Sequence, residues 1–420
     1  MKLQKILSRL QKLHPKEIDL SLNRVKNLCK KLGNPQENLK CISIVGTNGK
    51  YSTIQAIRAI LNEANVNVNI YTSPHIQNIN ERFVFNNKEI SDDSLAKLLI
   101  EVEEINRGET ITYFEILTAA YFYYAKKFDN INLIESGLFH RFDATNIISE
   151  NLVSVITAIG LDHLDWLPKN QQTLEKIVYE KTSDLLSSKI VIGKQTDNET
   201  LNMIKKNISS NNSKKFIFNE QFTCSENENG FIYYEDENGG LKLPKPNVLG
   251  EFQIENIATG IATIRNLTLQ IEDIHIKNGI TKIKSIARLQ ELKSGKLKNL
   301  CKNNKIFVDG SHNPLGAKVL NKYLEGLNCN KHMIVGMMSN KDHEGYMNCF
   351  KNISTLITID IPNQPNAIKG KELKQKLSNF PNVDYKESIE DAINSITLSN
   401  NDIILITGSL YLAGEVLNLN

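Results

Sequence analysis

Apolar positions along the chain alternate between short continuous runs and longer stripes at helical spacing. Leu3, Ile6, Leu7, Leu10 and Leu13 share one helical face, with Lys2, Lys5 and Lys12 elsewhere, so the chain is predicted to begin with an amphipathic helix docked on a domain. The β-prone run 41–45 leads through Gly46-Thr47-Asn48-Gly49-Lys50 into a stripe of Ile54, Ile57, Ile60, Leu61 and Ala64. Further apolar runs at 68–71, 131–134, 152–159 and 189–192, with helical stretches between several of them, predict a parallel sheet with crossover helices. The stretch 213–243 reads differently. Its runs at 216–218, 231–234 and 241–243 are separated by Asn, Glu and Gly, which predicts a small antiparallel meander. Residues 281–300 are Lys-rich and weakly patterned, as a linker would be. Strand runs at 305–309, 331–335, 356–361 and 403–407 then alternate with helical patterns at 315–326, 370–378 and 388–397. This is a second α/β unit of doubly wound type. The predicted division is a first domain over 1–284, a linker over 285–298 and a C-terminal domain over 299–420.

Composition narrows the class. A chain of 420 residues exceeds the roughly 100–200 of one domain. Its 50 basic and 47 acidic residues leave a net charge of +3, too small to suggest a nucleic-acid or membrane-surface partner. Hydrophobic residues at 40% and charged residues at 23% exclude a wholly disordered or fibrous chain. No apolar run approaches the roughly 18 residues of a membrane span, and the first helix lacks the continuous apolar stretch of a secretory signal. The six cysteines show no CxxC pair and are expected as free thiols in a reducing, cytoplasmic setting.

Candidate chemistry gathers where predicted strands end. A strand, a Gly-rich turn closing on Lys50 and then a helix is the setting of a phosphate-binding loop, with Ser52 or Thr53 able to supply a hydroxyl to phosphate or Mg²⁺. The strict GxxxxGK[ST] pattern is not met, because Ile44 stands in the first Gly position and Tyr51 follows the lysine. Ser73 and His75 in Tyr71-Thr72-Ser73-Pro74-His75 follow another strand. Glu135 closes a third and would suit Mg²⁺, and Asp162-His163 follows a fourth. In the second unit, Asp309-Gly310-Ser311-His312 follows the strand at 305–308, where an Asp can take ribose hydroxyls.

Taken together the motifs resemble one family. GTNGK at 46–50, YTSPH at 71–75, TYFE at 112–115, DATN at 143–146, GLDHLDW at 160–166, EK at 180–181, DGSHNP at 309–314 and TGSLYLAGEV at 407–416 occur in the order found in folylpolyglutamate synthase / dihydrofolate synthase, a branch of the Mur-ligase superfamily. The resemblance implies an α/β Mur-ligase-like ATPase domain, with a parallel sheet, helices and a small antiparallel sheet, followed by a smaller Rossmann-like C-terminal domain. It implies ATP as co-substrate, one or two Mg²⁺ ions, and L-glutamate with dihydropteroate or a reduced folate as substrates, in a cytoplasmic monomer.

Carried over residue by residue, it implies ATP contacts at Gly46, Thr47, Asn48, Gly49, Lys50, Tyr51, Ser52, Thr53, Asn256, Arg288, Asp309 and His312. Ser73, Glu135 and His163 would hold metal, joined by Lys181 where it is carbamylated. Catalytic roles fall to Lys50, His163 and Lys181. A pterin or folate would meet Asp19, Leu20, Ser21 and Leu22, then Thr112, Tyr113, Phe114 and Glu115, then Phe142, Asp143 and Ala144. The chain departs from the family pattern at Tyr51, at Phe139-His140 in place of Gly-Gly, at Thr182-Ser183, at Phe252 in place of His, at Ile286-Ala287 in place of Pro-Gly, and at Ser21. Two other readings stay open at this point: a homologue that binds nucleotide or folate without turnover, and a ligase of peptidoglycan precursors. A phosphate-loop NTPase acting on a partner protein is a third.

Overall fold

The computed structural model describes residues 2–16 and 19–420. The chain forms two compact units, Met1–Asn247 with Ile254–Ile283, and Val248–Gln253 with Lys284–Asn420.

The first unit holds an eight-stranded sheet of β1 (Lys40–Val45), β2 (Val68–Tyr71), β3 (Phe83–Phe85), β4 (Lys88–Glu89), β5 (Ile131–Glu135), β6 (Val153–Ile156), β7 (Lys189–Ile192) and β8 (Lys214–Ile217). Their order is β4-β3-β2-β5-β1-β6-β7-β8. Pairing is parallel from β2 to β8, and β3 and β4 add an antiparallel edge. The strands β2, β5 and β6 are buried throughout, their polar Asn69, Asn132 and Ser154 included, as fits a sheet covered on both faces. Helices Lys2–Leu10, Asn23–Lys31, Asp92–Asn106 and Tyr113–Ala125 bring Ile6, Leu28, Leu99 and Phe122 into one apolar core with Tyr71 and Ile134 of the sheet. A second core gathers Ile156, Ile190 and Ile192 with Ile177 and Val178 of helix Leu174–Thr182 and Ile204 of helix Asn198–Asn207.

The antiparallel meander is present, but its strands are β9 (Phe222–Glu226), β10 (Ile232–Asp236) and β11 (Gly239–Leu243), in the order β11-β10-β9. The run at 216–218, expected as its first strand, belongs mostly to β8, where Phe216 sits opposite Val191 of β7. β9 escaped the reading because only Phe222 in it is buried, while Thr223, Ser225 and Glu226 face solvent.

The second unit holds β12 (Gln290–Glu291), β13 (Lys305–Val308), β14 (Lys331–Val335), β15 (Thr355–Ile359), β16 (Val383–Lys386) and β17 (Ile403–Thr407) in the order β12-β13-β17-β14-β15-β16. All pairings are parallel except that of β12 with β13. Leu249 and Phe252 pack against this unit's core, so Val248–Gln253 groups with it rather than with the residues before it. The stretch expected as a linker is built into the same unit: it contains β12 and helix Lys296–Leu300 and buries Leu289 and Leu297. No helix among the described residues is long and apolar enough to cross a membrane.

Candidate active site

Parallel pairing gives the first sheet one edge where β2, β5, β1 and β6, neighbours in that order, all end. Ligands of open α/β sheets bind outside that edge. Glu135 ends β5 at this edge, and loops that leave it carry Ser73, the 46–50 turn and His163.

The turn is shaped by its surroundings. Amides of Thr47 and Asn48 both donate to the Ala158 carbonyl, at 2.9 and 3.1 Å. Gly46 has φ of +154°, and a Cβ there would stand 2.0 Å from Thr157 Oγ1, so only glycine fits. Helix Lys50–Glu63 starts immediately after, its first bond running from the Thr53 amide to the Gly49 carbonyl. The turn is therefore also a helix N-terminus, where backbone dipoles favour an anion. Asn256 belongs here as well, with its Oδ1 only 2.5 Å from where a Gly49 Cβ would stand.

Lys50 folds back over this turn. Its Nζ donates to the carbonyls of Gly46 and Thr47, both at 3.2 Å, and lies 3.7 Å from Glu135 Oε1. Lys181, from helix Leu174–Thr182, donates at 2.9 Å to the same Gly46 carbonyl and is buried. Burial, with Lys50 nearby, pulls its ammonium down to about 7, against the opposing charges of Asp162 and Asp143. The Phe139 ring covers the Lys181 ammonium at 5.7 Å and meets the His163 ring edge-on at 6.4 Å. Beside it His140 is fully buried, with Nδ1 3.0 Å from Ser136 Oγ, and burial holds its imidazole down to about 4. Phe139 and His163 both have positive φ, 56° and 57°, at positions filled by bulky residues.

The metal candidates divide. Ser73 donates its amide to Glu135 Oε2 at 3.2 Å, and its buried Oγ has no hydrogen-bond partner among the described residues. An orphaned hydroxyl beside a buried carboxylate is a set of hard oxygens that fits Mg²⁺. His163 instead lies against Phe139, with Nε2 3.9 Å from Asp162 Oδ2. Among the described residues no three His, Cys, Asp or Glu side chains stand together as a metal cluster.

The expected pterin residues adjoin this edge. Phe114 stacks on Tyr71 at 6.1 Å, and its Cζ and Ser73 Oγ both flank Gly137, 2.8 and 3.0 Å from where a Cβ would be. Thr112 and Glu115 form a capping box at the start of helix Tyr113–Ala125. Tyr113 and Leu20 are half-buried, each packed on one of the two cores. Ser21 Oγ accepts the Asn23 amide at 3.3 Å, and Leu22 precedes helix Asn23–Lys31. Phe142 carries the Arg141 guanidinium at 4.1 Å. Two of the expected residues are occupied internally. Asp143 takes four local donors, the amides of Gly137, Leu138 and Thr145 and the Thr145 hydroxyl, which partly offset the upward push of burial on its carboxyl. Ala144 is buried in the apolar core. Both shape the 137–145 loop rather than offer a free surface.

Two arginines to which the motifs assigned no role hold this arrangement. Arg141 grips Glu180 with two bonds of 2.9 and 2.8 Å, and Arg24 bridges Asp19 and Glu115. Their spacings in sequence, 39, 5 and 91 residues, carry no periodic signal, so only the fold reveals them.

In the second unit the corresponding edge gathers Asp309, after β13, with Ser311, Tyr346 and Thr407. Asp309 accepts the amides of Leu289 and Ser311, both at 2.7 Å; burial pushes its carboxyl up and Arg288 opposes this. Tyr346 Oη links Ser311 Oγ and Thr407 Oγ1 at 3.0 and 2.7 Å. His312 Nδ1 lies 3.3 Å from the Gly310 carbonyl.

Residues 296–410 match the family model described as Mur ligase, glutamate ligase domain. A dihydrofolate synthase/folylpolyglutamate synthase of Bacillus subtilis is 30% identical over 94% of both chains. Two solved structures superpose with a TM-score of 0.85 at 26% identity, each covering 99% of this chain and 97% of its own. One is E. coli FolC in complex with DHPP and ADP, and the other is the bifunctional folylpolyglutamate synthase/dihydrofolate synthase of Yersinia pestis complexed with AMPPNP and Mn. The two-unit α/β architecture, the glycine-rich turn at the sheet edge and these full-length likenesses lead to one conclusion: the chain belongs to the dihydrofolate synthase/folylpolyglutamate synthase family of ATP-dependent ligases, within the Mur-ligase superfamily.

Proposed function

We propose that this protein joins L-glutamate in amide linkage to the carboxylate of dihydropteroate, of a reduced folate, or of both. The observation that carries the reading is the convergence at one sheet edge of the 46–50 turn, Lys50 beside Glu135, the orphaned Ser73 hydroxyl and the Phe114 ring.

A carboxylate is a poor acyl donor because its leaving group would be oxide. Transfer of the γ-phosphoryl of ATP onto it gives an acyl phosphate and ADP. The glutamate amine then attacks the acyl carbon, inorganic phosphate leaves, and one proton is lost from nitrogen. In this reading Gly46 to Thr53 and Asn256 cradle the phosphates, with Lys50 offsetting the charge that is transferred. Ser73, Glu135 and His163 would hold Mg²⁺, with Lys181 adding oxygens where it is carbamylated; a Lys181 amine held near 7 is partly neutral at physiological pH, as attack on CO₂ requires. Bound Mg²⁺ supplies Lewis-acid stabilisation of phosphate charge. Phe114 offers a face for the pterin, and the 19–22 and 112–115 segments line its edge. In the second unit Arg288, Asp309 and His312 are proposed nucleotide contacts. We further propose a cytoplasmic monomer.

The test is ADP release by the purified chain with Mg²⁺ and ATP. Release that needs L-glutamate together with dihydropteroate or a reduced folate supports the reading. ATP binding without such release moves the assignment to a non-catalytic homologue, and release independent of glutamate to a plain NTPase.

A further inference from the structure

Glu115 is the one acidic residue of the TYFE motif, and its two oxygens are treated differently by the fold. Oε2 accepts the Thr112 amide at 2.8 Å and Arg24 Nε at 2.9 Å. Oε1 is buried and accepts nothing among the described residues. A carboxylate oxygen left bare inside a protein is costly unless a donor arrives. The Phe114 ring, one residue earlier, provides a flat apolar face. Arg24 is the other half of the arrangement. While Nε holds Glu115, Nη1 donates to Asp19 Oδ2 at 3.0 Å and Nη2 to the Asp19 carbonyl at 2.8 Å. One planar guanidinium therefore ties the 19–22 segment to the start of helix Tyr113–Ala125, segments about ninety residues apart in sequence. Its fork geometry fixes the plane of the Glu115 carboxylate, which a point charge on a flexible stem would not do.

We propose that Arg24 is a positioning residue for the heterocyclic substrate: it orients Glu115 so that Oε1 accepts an N–H of a flat, amino-bearing ring stacked on Phe114. This rests on the assignment of that site to a pterin, and goes beyond it by naming the ligand group and the residue that prepares its acceptor.

The experiment compares wild type, Arg24→Lys, Arg24→Gln and Glu115→Gln, with separate KM values for dihydropteroate, ATP and L-glutamate, and a thermal melt of each. Loss of a charge-assisted hydrogen bond to the ring corresponds to about ten- to a hundredfold in affinity. The expected result is a rise of that order in KM for dihydropteroate in Glu115→Gln and Arg24→Gln, a smaller rise in Arg24→Lys, and KM for ATP and glutamate within about twofold of wild type. Equal rises for all three substrates, or an Arg24→Gln variant that melts early yet keeps its dihydropteroate KM, would overturn the proposal and leave Arg24 a structural staple. If Arg24→Gln does not fold, the decision passes to Arg24→Lys and Asp19→Asn, whose dihydropteroate KM must still rise selectively. A wild-type enzyme that never uses dihydropteroate or folate fails the assignment of function instead, and is recognised before any variant is made.

Discussion

Replacing Glu180 by Gln tests how the Lys181 helix is held. Glu180 immediately precedes Lys181, and its carboxylate receives Arg141 Nε and Nη2 at 2.9 and 2.8 Å and Lys176 Nζ at 2.8 Å. Its main-chain carbonyl also takes the amides of His140 and Arg141, so this one residue fastens the 139–141 loop to the helix by both side chain and backbone. The glutamine amide can still accept one of these donors, but its NH₂ then faces a cation. Bonds to charged groups contribute about 1.5–3 kcal/mol each, and the partners' 25% and 27% exposure screens part of that. We expect about 2 kcal/mol net, a fall of several degrees in the melting of the first unit. The pH dependence gives a second check. Burial pushes the Glu180 carboxyl up, but Arg141 and Lys176 together outweigh it and hold it below its ordinary value, so its contribution is complete above the unfolded value of 4.5 and is lost as pH falls through the lower folded value. Differential scanning calorimetry of both proteins from pH 7 down to about pH 3.5 should show the gap at full size at neutral pH and narrowing below 4.5. A melting temperature within about 1 °C of the parent at pH 7, or a gap that stays constant into acid, would refute the reasoning.

Other outcomes follow from the same geometry. Lys50→Met should lower kcat by about a hundredfold or more while the chain still melts near the parent temperature, as steady-state kinetics and a melt would show. Ser73→Ala should raise the Mg²⁺ concentration needed for half-maximal ADP release, with little change in stability, because its Oγ has no partner to lose among the described residues. Gly46→Ala should destabilise by about 2–4 kcal/mol through backbone strain and collision with Thr157, and Thr157→Ala should restore part of it in urea unfolding. Because folded Lys181 titrates near 7 and its unfolded value is 10.5, unfolding takes up a proton between those values. Unmodified protein should therefore gain stability as pH rises from 7 to about 10, a slope that Lys181→Met removes.

Most of the first sheet was legible because its inner strands are short, predominantly apolar runs bounded by turns, and the 46–50 turn announced itself by glycines between a strand and a helix. The edges were not. β3 is apolar and buried but only three residues long, while β4, β9 and β16 are short or half-exposed and their polar residues hide them from a hydrophobicity pattern. Motif matching brought Ser73, Glu135, Lys50 and Phe114 into one list, and the strand order explains why they meet. It did not foresee that Asp143 spends both oxygens on its own loop. Nor did it find Arg24, whose partners lie at unrelated points of the chain.

The left-handed backbone at Phe139 and Ala287 has an energetic consequence. Both are non-glycine residues held at φ of 56° and 52°, a region that favours glycine. Each position bears roughly 1–2 kcal/mol of steric strain that glycine would not. The Phe139 ring is 2% exposed and Ala287 is wholly enclosed, so surrounding packing holds the strained turn in place.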